Sequence, residues 1–152
     1  VGPGLMGILQ STSGVGMFIG ALMIAAAGNI RYHGRVFLIG SLVALMSLFL
    51  FSLSRSYFLS AIFLLVLGFG ASMFGTMQAA IVILLSKMNV RGRALGVVSL
   101  AIGTMPVGSL IIAGMTSIYG PTFSIGLNAA IGIIFLVLVT LVMPALRGKI
   151  VA

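Results

Sequence analysis

The groups with which this chain could do chemistry are amides and hydroxyls. Gln10 stands beside Ser11, Thr12 and Ser13; Ser72, Thr76 and Gln78 share a later apolar run, and Thr104 and Asn128 stand in two more. Acids are missing altogether: the 152 residues include no Asp or Glu, no Cys, and one His, between Tyr32 and Gly34. That inventory closes off most catalysis. No carboxylate pair can do acid–base work, no thiolate can attack or hold a metal, and there is no His-Glu pair or phosphate-binding loop. The serines and threonines have no membrane-embedded base, so the reading is of no enzyme, no metal site and no cofactor. His33 reads as a solvated residue of a basic turn. A buried proton relay needs a carboxylate or a histidine within the membrane, so any such relay would lie elsewhere.

These polar groups must be positioned by an unusually apolar chain. Hydrophobic residues make up 61% of it and charged residues 5%, against roughly 45–50% and 25% in soluble domains. Gly28-Asn29, Ser54-Arg55-Ser56, Asn89 to Gly92, Gly120-Pro121 and Pro144 punctuate the apolar runs. Between them the sequence predicts an all-α membrane protein of five spans: about Leu5 to Ala27, Val36 to Leu53, Tyr57 to Leu85, Ala94 to Tyr119 and Phe123 to Ala145. They form a single transmembrane domain over residues 1–152. The second span is the shortest, and the third exceeds what a bilayer needs, so it should tilt or project. An unpaired amide in hydrocarbon costs several kcal/mol, so the polar residues should face a partner helix or water.

Charge sets the direction of the spans. Arg31, Arg35, Lys87, Arg91, Arg93, Arg147 and Lys149, seven of the eight cations, fall in alternate loops; Arg55 is the exception. A net charge of +8 would suggest nucleic acid in a soluble protein, but here the cations form no continuous face, and no nucleic-acid partner is expected. By the positive-inside rule the N-terminus lies outside and the C-terminus in the cytoplasm of a cell (inner) membrane protein. The chain begins Val-Gly-Pro-Gly with no basic n-region, which reads as a piece of a longer polypeptide rather than a signal peptide.

Glycines mark the packing faces. Gly16 and Gly20 form a Gly-x-x-x-Gly stripe, Gly68, Gly70, Ser72 and Gly75 read as a small-residue face, and Pro106 should kink or soften the fourth span. A faint repeat also runs through the chain. Gly7, Gly14 and Gly20-Ala21-Leu22 echo Gly96, Gly103 and Gly108-Ser109-Leu110, and Phe37-Leu38-Ile39-Gly40 echoes Phe123-Ser124-Ile125-Gly126. The matching spans are three apart and so cross in opposite directions, the pattern of an inverted repeat.

Arg91-Gly92-Arg93-Ala94-Leu95-Gly96, followed by Gly103, Pro106, Gly108 and Gly114, resembles the loop and penultimate helix of major facilitator superfamily transporters, nearest to the drug and siderophore exporters. The resemblance implies the eighth to twelfth helices of a twelve-helix carrier. The second to sixth are the other register, but Gly103 to Gly108 lacks the adjacent Gly-Pro of the antiporter signature. It further implies cavity-lining roles for the first, third and fourth spans, making Gln10, Gln78 and Thr104 the substrate-facing candidates. Arg31, Arg35, Arg91, Gly92 and Arg93 become loop or gating candidates, although the acidic residue of the family's loop is absent and Asn29 or Ile30 stands there. The implied partners are the lipid bilayer, a small-molecule substrate and a missing N-terminal half. The competing reading is a small stand-alone membrane protein that assembles with partners through its glycine faces.

Overall fold

A long apolar segment in lipid can satisfy its own backbone only by winding into a helix. The computed structural model, which describes residues 3–28 and 32–143, contains helices and no strand among those residues. They are α1 (Pro3–Ala26), α2 (His33–Leu53), α3 (Tyr57–Leu85), α4 (Arg91–Gly103), α5 (Met105–Tyr119) and α6 (Pro121–Val142). Since α4 and α5 lie end to end, five segments are long and apolar enough to cross a membrane. The expected all-helical architecture, with five helices of membrane-spanning length, is the one observed among the described residues.

The differences lie at the ends. Helix α2 begins at His33, three residues before the expected Val36, because the Val36 amide already bonds the Tyr32 carbonyl at 3.1 Å. Its 21 residues make it a full-length span, and His33 is a half-buried helical residue whose Nδ1 makes no hydrogen bond among the described residues, in place of the expected solvated loop residue. Likewise α4 starts at Arg91, drawing the basic loop into the helix. Gly28 (φ 58°) follows α1, and Gly120 (φ 84°) turns α5 into α6, whose first residue is Pro121. Positive φ is cheap only for glycine, and proline suits a first helical turn, so that hairpin is written in its two residues. The expected end of the last span, at Ala145, lies outside the described residues.

Small residues hold the bundle together. A Cβ on Gly16 would collide with the Leu65 carbonyl, and one on Gly20 would lie 2.9 Å from the Phe69 carbonyl oxygen, so α1 lies backbone to backbone on α3. On the other flank of α3, a Cβ on Gly70 would lie 2.7 Å from the Ala44 nitrogen of α2, and Phe37 stacks on Phe74 with ring centroids 5.1 Å apart. Gly126 and Gly132 of α6 pack in turn on Ser52 and Leu45 of α2. Among the described residues the helices therefore form a row, α1, α3, α2, α6, α5, in which α1 touches neither α2 nor α5. The buried non-glycine residues are small or flexible, Ser41, Ser47, Ser52, Ser124, Ala129 and Met77, while leucines, isoleucines and phenylalanines face outward. That inversion of a soluble core is what lipid as solvent selects, since apolar side chains gain nothing by leaving it.

Contact order gives the crossing directions. Leu5 meets Tyr57 and Gly20 meets Ser72, so α1 and α3 run parallel, whereas Phe37 meets Phe74 and Ala44 meets Gly70, so α2 runs against them. Ser52 meets Gly126 and Leu45 meets Gly132, so α6 also opposes α2. One end of the bundle thus carries Arg35, Lys87, Arg91 and Arg93; the other carries Leu5, Arg55, Tyr57 and the Gly120 turn.

Candidate functional site

The three polar candidates within the membrane occupy three separate places. Gln10 is exposed and lines a cavity of about 310 Å³ with Met6, Leu9, Ser13, Phe51 and Leu64, where α1 and α2 flank α3. Gln78 is half-buried on α3, fourteen residues beyond Leu64, which at about 1.5 Å per residue puts it roughly 21 Å further along the helix. Thr104 is exposed between α4 and α5, elements that touch neither α1 nor α2. These side chains therefore form no single constellation.

Their hydrogen bonding sorts them. The hydroxyls of Ser11, Thr12 and Ser13 donate to the carbonyls of Gly7, Ile8 and Gln10 at 2.8–2.9 Å, and Thr104 donates to Ala101 at 2.7 Å. Such bonds within a turn let a hydroxyl sit in an apolar helix without outside partners. Asn128 does the same, its Nδ2 donating to the Ser124 carbonyl at 2.8 Å. The amides of Gln10 and Gln78 have no such bond among the described residues. In hydrocarbon they need water or another polar group.

The fourth span is broken and bare. Thr104 separates α4 from α5 with φ −82° and ψ −6°, its amide reaching Ala101 at 3.3 Å, and Pro106 occupies the first turn of α5. Proline offers no N–H to the carbonyl four residues back, so the helix reseats itself ahead of it. No residue of Arg91–Tyr119 is buried; α4 touches the end of α3, α5 touches α6, and Gly92, Gly96, Gly103, Gly108 and Gly114 face open space.

At the cation-rich end, Arg91 is half-buried at the start of α4 with an Nε that has no hydrogen-bond partner among the described residues, while Gly92 and Arg93 are exposed. Arg35 lies over the Tyr32 ring, 4.7 Å from its centroid, a cation–π contact. Arg31 lies outside the described residues. With no Asp or Glu in the chain, these cations have no acidic side chain within it to pair with and turn to neutral acceptors, rings or groups from outside it.

One cavity has no counterpart among the sequence-predicted sites. About 560 Å³ open between α2 and the α5–α6 turn, lined by Phe49, Ser52, Leu53, Tyr119, Phe123 and Gly126 among others. The available signal was Tyr119 beside Gly120-Pro121, an amphipathic ring at the end of a span. Comparison with known protein families, curated proteins and solved structures finds no match to this chain.

Proposed function

We propose that this chain is the greater part of one half of a secondary carrier that moves a small, amphipathic solute by alternating access, as the major facilitator resemblance implies. The observation that carries the reading is the bare fourth span. A 29-residue apolar helix pair with no buried residue and open glycine faces is left uncovered by the described residues, and its small-residue faces suit close approach of further helices. In a rocking carrier these are the remaining helices of the bundle, together with a water-filled path. The amides of Gln10 and Gln78, unpaired among the described residues, fit the same picture, since each needs a wet or polar surrounding. In the repeat read from the sequence, α2 and α6 are counterparts, and these two pack on each other through Ser52 and Gly126. The cation-rich end then faces the cytoplasm of a cell membrane.

Water access tests this reading. With no native cysteine, single cysteines at Gln10, Gln78 and Thr104 can be compared, in membranes of cells expressing the protein as encoded, with one at Phe135, a lipid-facing position of α6 that is 68% exposed. The carrier reading expects a water-soluble maleimide to label the first three and leave Phe135 unlabelled. If all four stay unlabelled, and cysteines at Gly96 or Gly103 cross-link between copies, the chain is an assembly subunit instead.

A further inference from the structure

We propose that the cleft between α2 and α6, at the end of the bundle that carries Arg55, binds an anionic phospholipid, with one acyl chain in the cleft and its phosphate on Arg55. The inference needs only the membrane spans and is independent of transport. Leu42, Phe49 and Leu53 on α2 recur at intervals of seven and four residues, as Gly126, Ala130 and Val137 do on α6, so each trio shares one helix face. Between these faces lies the 560 Å³ cavity at the Arg55 end, and a second of about 220 Å³ continues along the same two helices beside Leu42 and Val137. From Leu38 to Leu53 the groove runs about 22 Å at roughly 1.5 Å per residue, longer than the roughly 15 Å of one leaflet's hydrocarbon. An extended acyl chain matches that shape.

Charge selects the headgroup. Arg55 is exposed in the turn between α2 and α3, two residues beyond Leu53 of the cavity wall, which is at most about 7 Å of chain. No Asp or Glu exists in the sequence to pair with it, so an anionic side chain of the protein cannot serve as its counter-ion and an outside anion can. Anionic phosphate and guanidinium form the strong, charge-assisted kind of hydrogen bond. Tyr119, also exposed at the cavity mouth, has the amphipathic ring that settles at headgroup level. Arg55, the only cation in the loop between the second and third spans, thereby gains a role that orientation alone does not give it.

The chain has no tryptophan, so Phe123→Trp, at an exposed wall position of the cavity, gives a reporter free of background. The full chain carrying it is placed in phosphatidylcholine bilayers with increasing phosphatidylglycerol, one lipid or the other brominated on its acyl chain. Brominated phosphatidylglycerol is expected to reach half-quenching at about fivefold lower mole fraction than brominated phosphatidylcholine, the preference one well-placed cation provides. Arg55→Gln should abolish the difference, Arg93→Gln at the opposite end should leave it, and Ala130→Phe, which fills the cleft, should lower quenching by both lipids with helix content unchanged. Equal quenching by the two lipids, or a preference that survives Arg55→Gln, overturns the proposal. So does absence of quenching by either, the result expected if a protein helix occupies the cleft.

Discussion

Gly40 of α2 and Gly70 of α3 meet backbone to backbone: a Cβ on Gly40 would lie 3.0 Å from the Gly70 carbonyl oxygen, and one on Gly70 would lie 2.7 Å from that of Gly40. Neither carbonyl can step aside without bending its helix. Gly70→Ala should therefore cost about 1–3 kcal/mol, the range for overpacking a close-fitting contact. Gly75→Ala, inside the same helix with nothing within 4 Å, should instead stabilise by about 0.4–1 kcal/mol, the advantage alanine has over glycine where a Cβ fits. Unfolding in mixed detergent micelles, followed by circular dichroism, compares the two; equal effects would contradict the packing described.

Tyr57 ties α3 to the start of α1, its hydroxyl donating to the Leu5 carbonyl at 3.2 Å. Tyr57→Phe keeps the ring and removes that bond. The expected loss is about 0.5–1.5 kcal/mol, concentrated at one end of α1. Hydrogen exchange read by mass spectrometry should show the first turns of α1 exchanging faster while α2 is unchanged. Uniform protection in the variant would show that the bond does not hold the helix end.

Pro106 breaks the fourth span, and Pro106→Ala restores the missing N–H. Helices α4 and α5 should then run on as one. Spin labels on cysteines at Arg93 and Ser117 would approach the roughly 36 Å that 24 residues span in a straight helix, with a narrower distance distribution than in the parent. An unchanged distribution would locate the cause of the break elsewhere.

The spans were legible because a bilayer demands about 20 apolar residues in a row, and α3 falls at Tyr57–Leu85, the bounds expected of it. Partners were not legible, because faces toward lipid and toward protein are both apolar and leave no periodic contrast. The small residues of α3 show the difficulty. Read as one face, they divide: Gly68 abuts Ser13 of α1, Gly70 abuts Ala44 of α2, and Gly75 meets nothing. Two residues along a helix amount to about 200° of rotation, so the division of Gly68 from Gly70 was written in their spacing. The break at Thr104 was half legible: proline marks that a helix must yield, but the yielding falls two residues earlier, where the chain can begin a new first turn around Pro106. Gln10, Gln78 and Thr104 were recognisable as polar exceptions, yet their separation depends on helix order, which composition does not encode.

Taken as membrane spans, the five apolar helices alternate in direction, with Arg35, Lys87, Arg91 and Arg93 at one end of the bundle and Arg55 at the other. Single cysteines at Ser54, Asn89 and Ser117 in this cysteine-free chain, exposed to an impermeant maleimide in intact cells, test it most directly. Ser54→Cys and Ser117→Cys are expected to label from outside, and Asn89→Cys only after the membrane is opened. Labelling of Asn89→Cys in intact cells, or of all three alike, would contradict it.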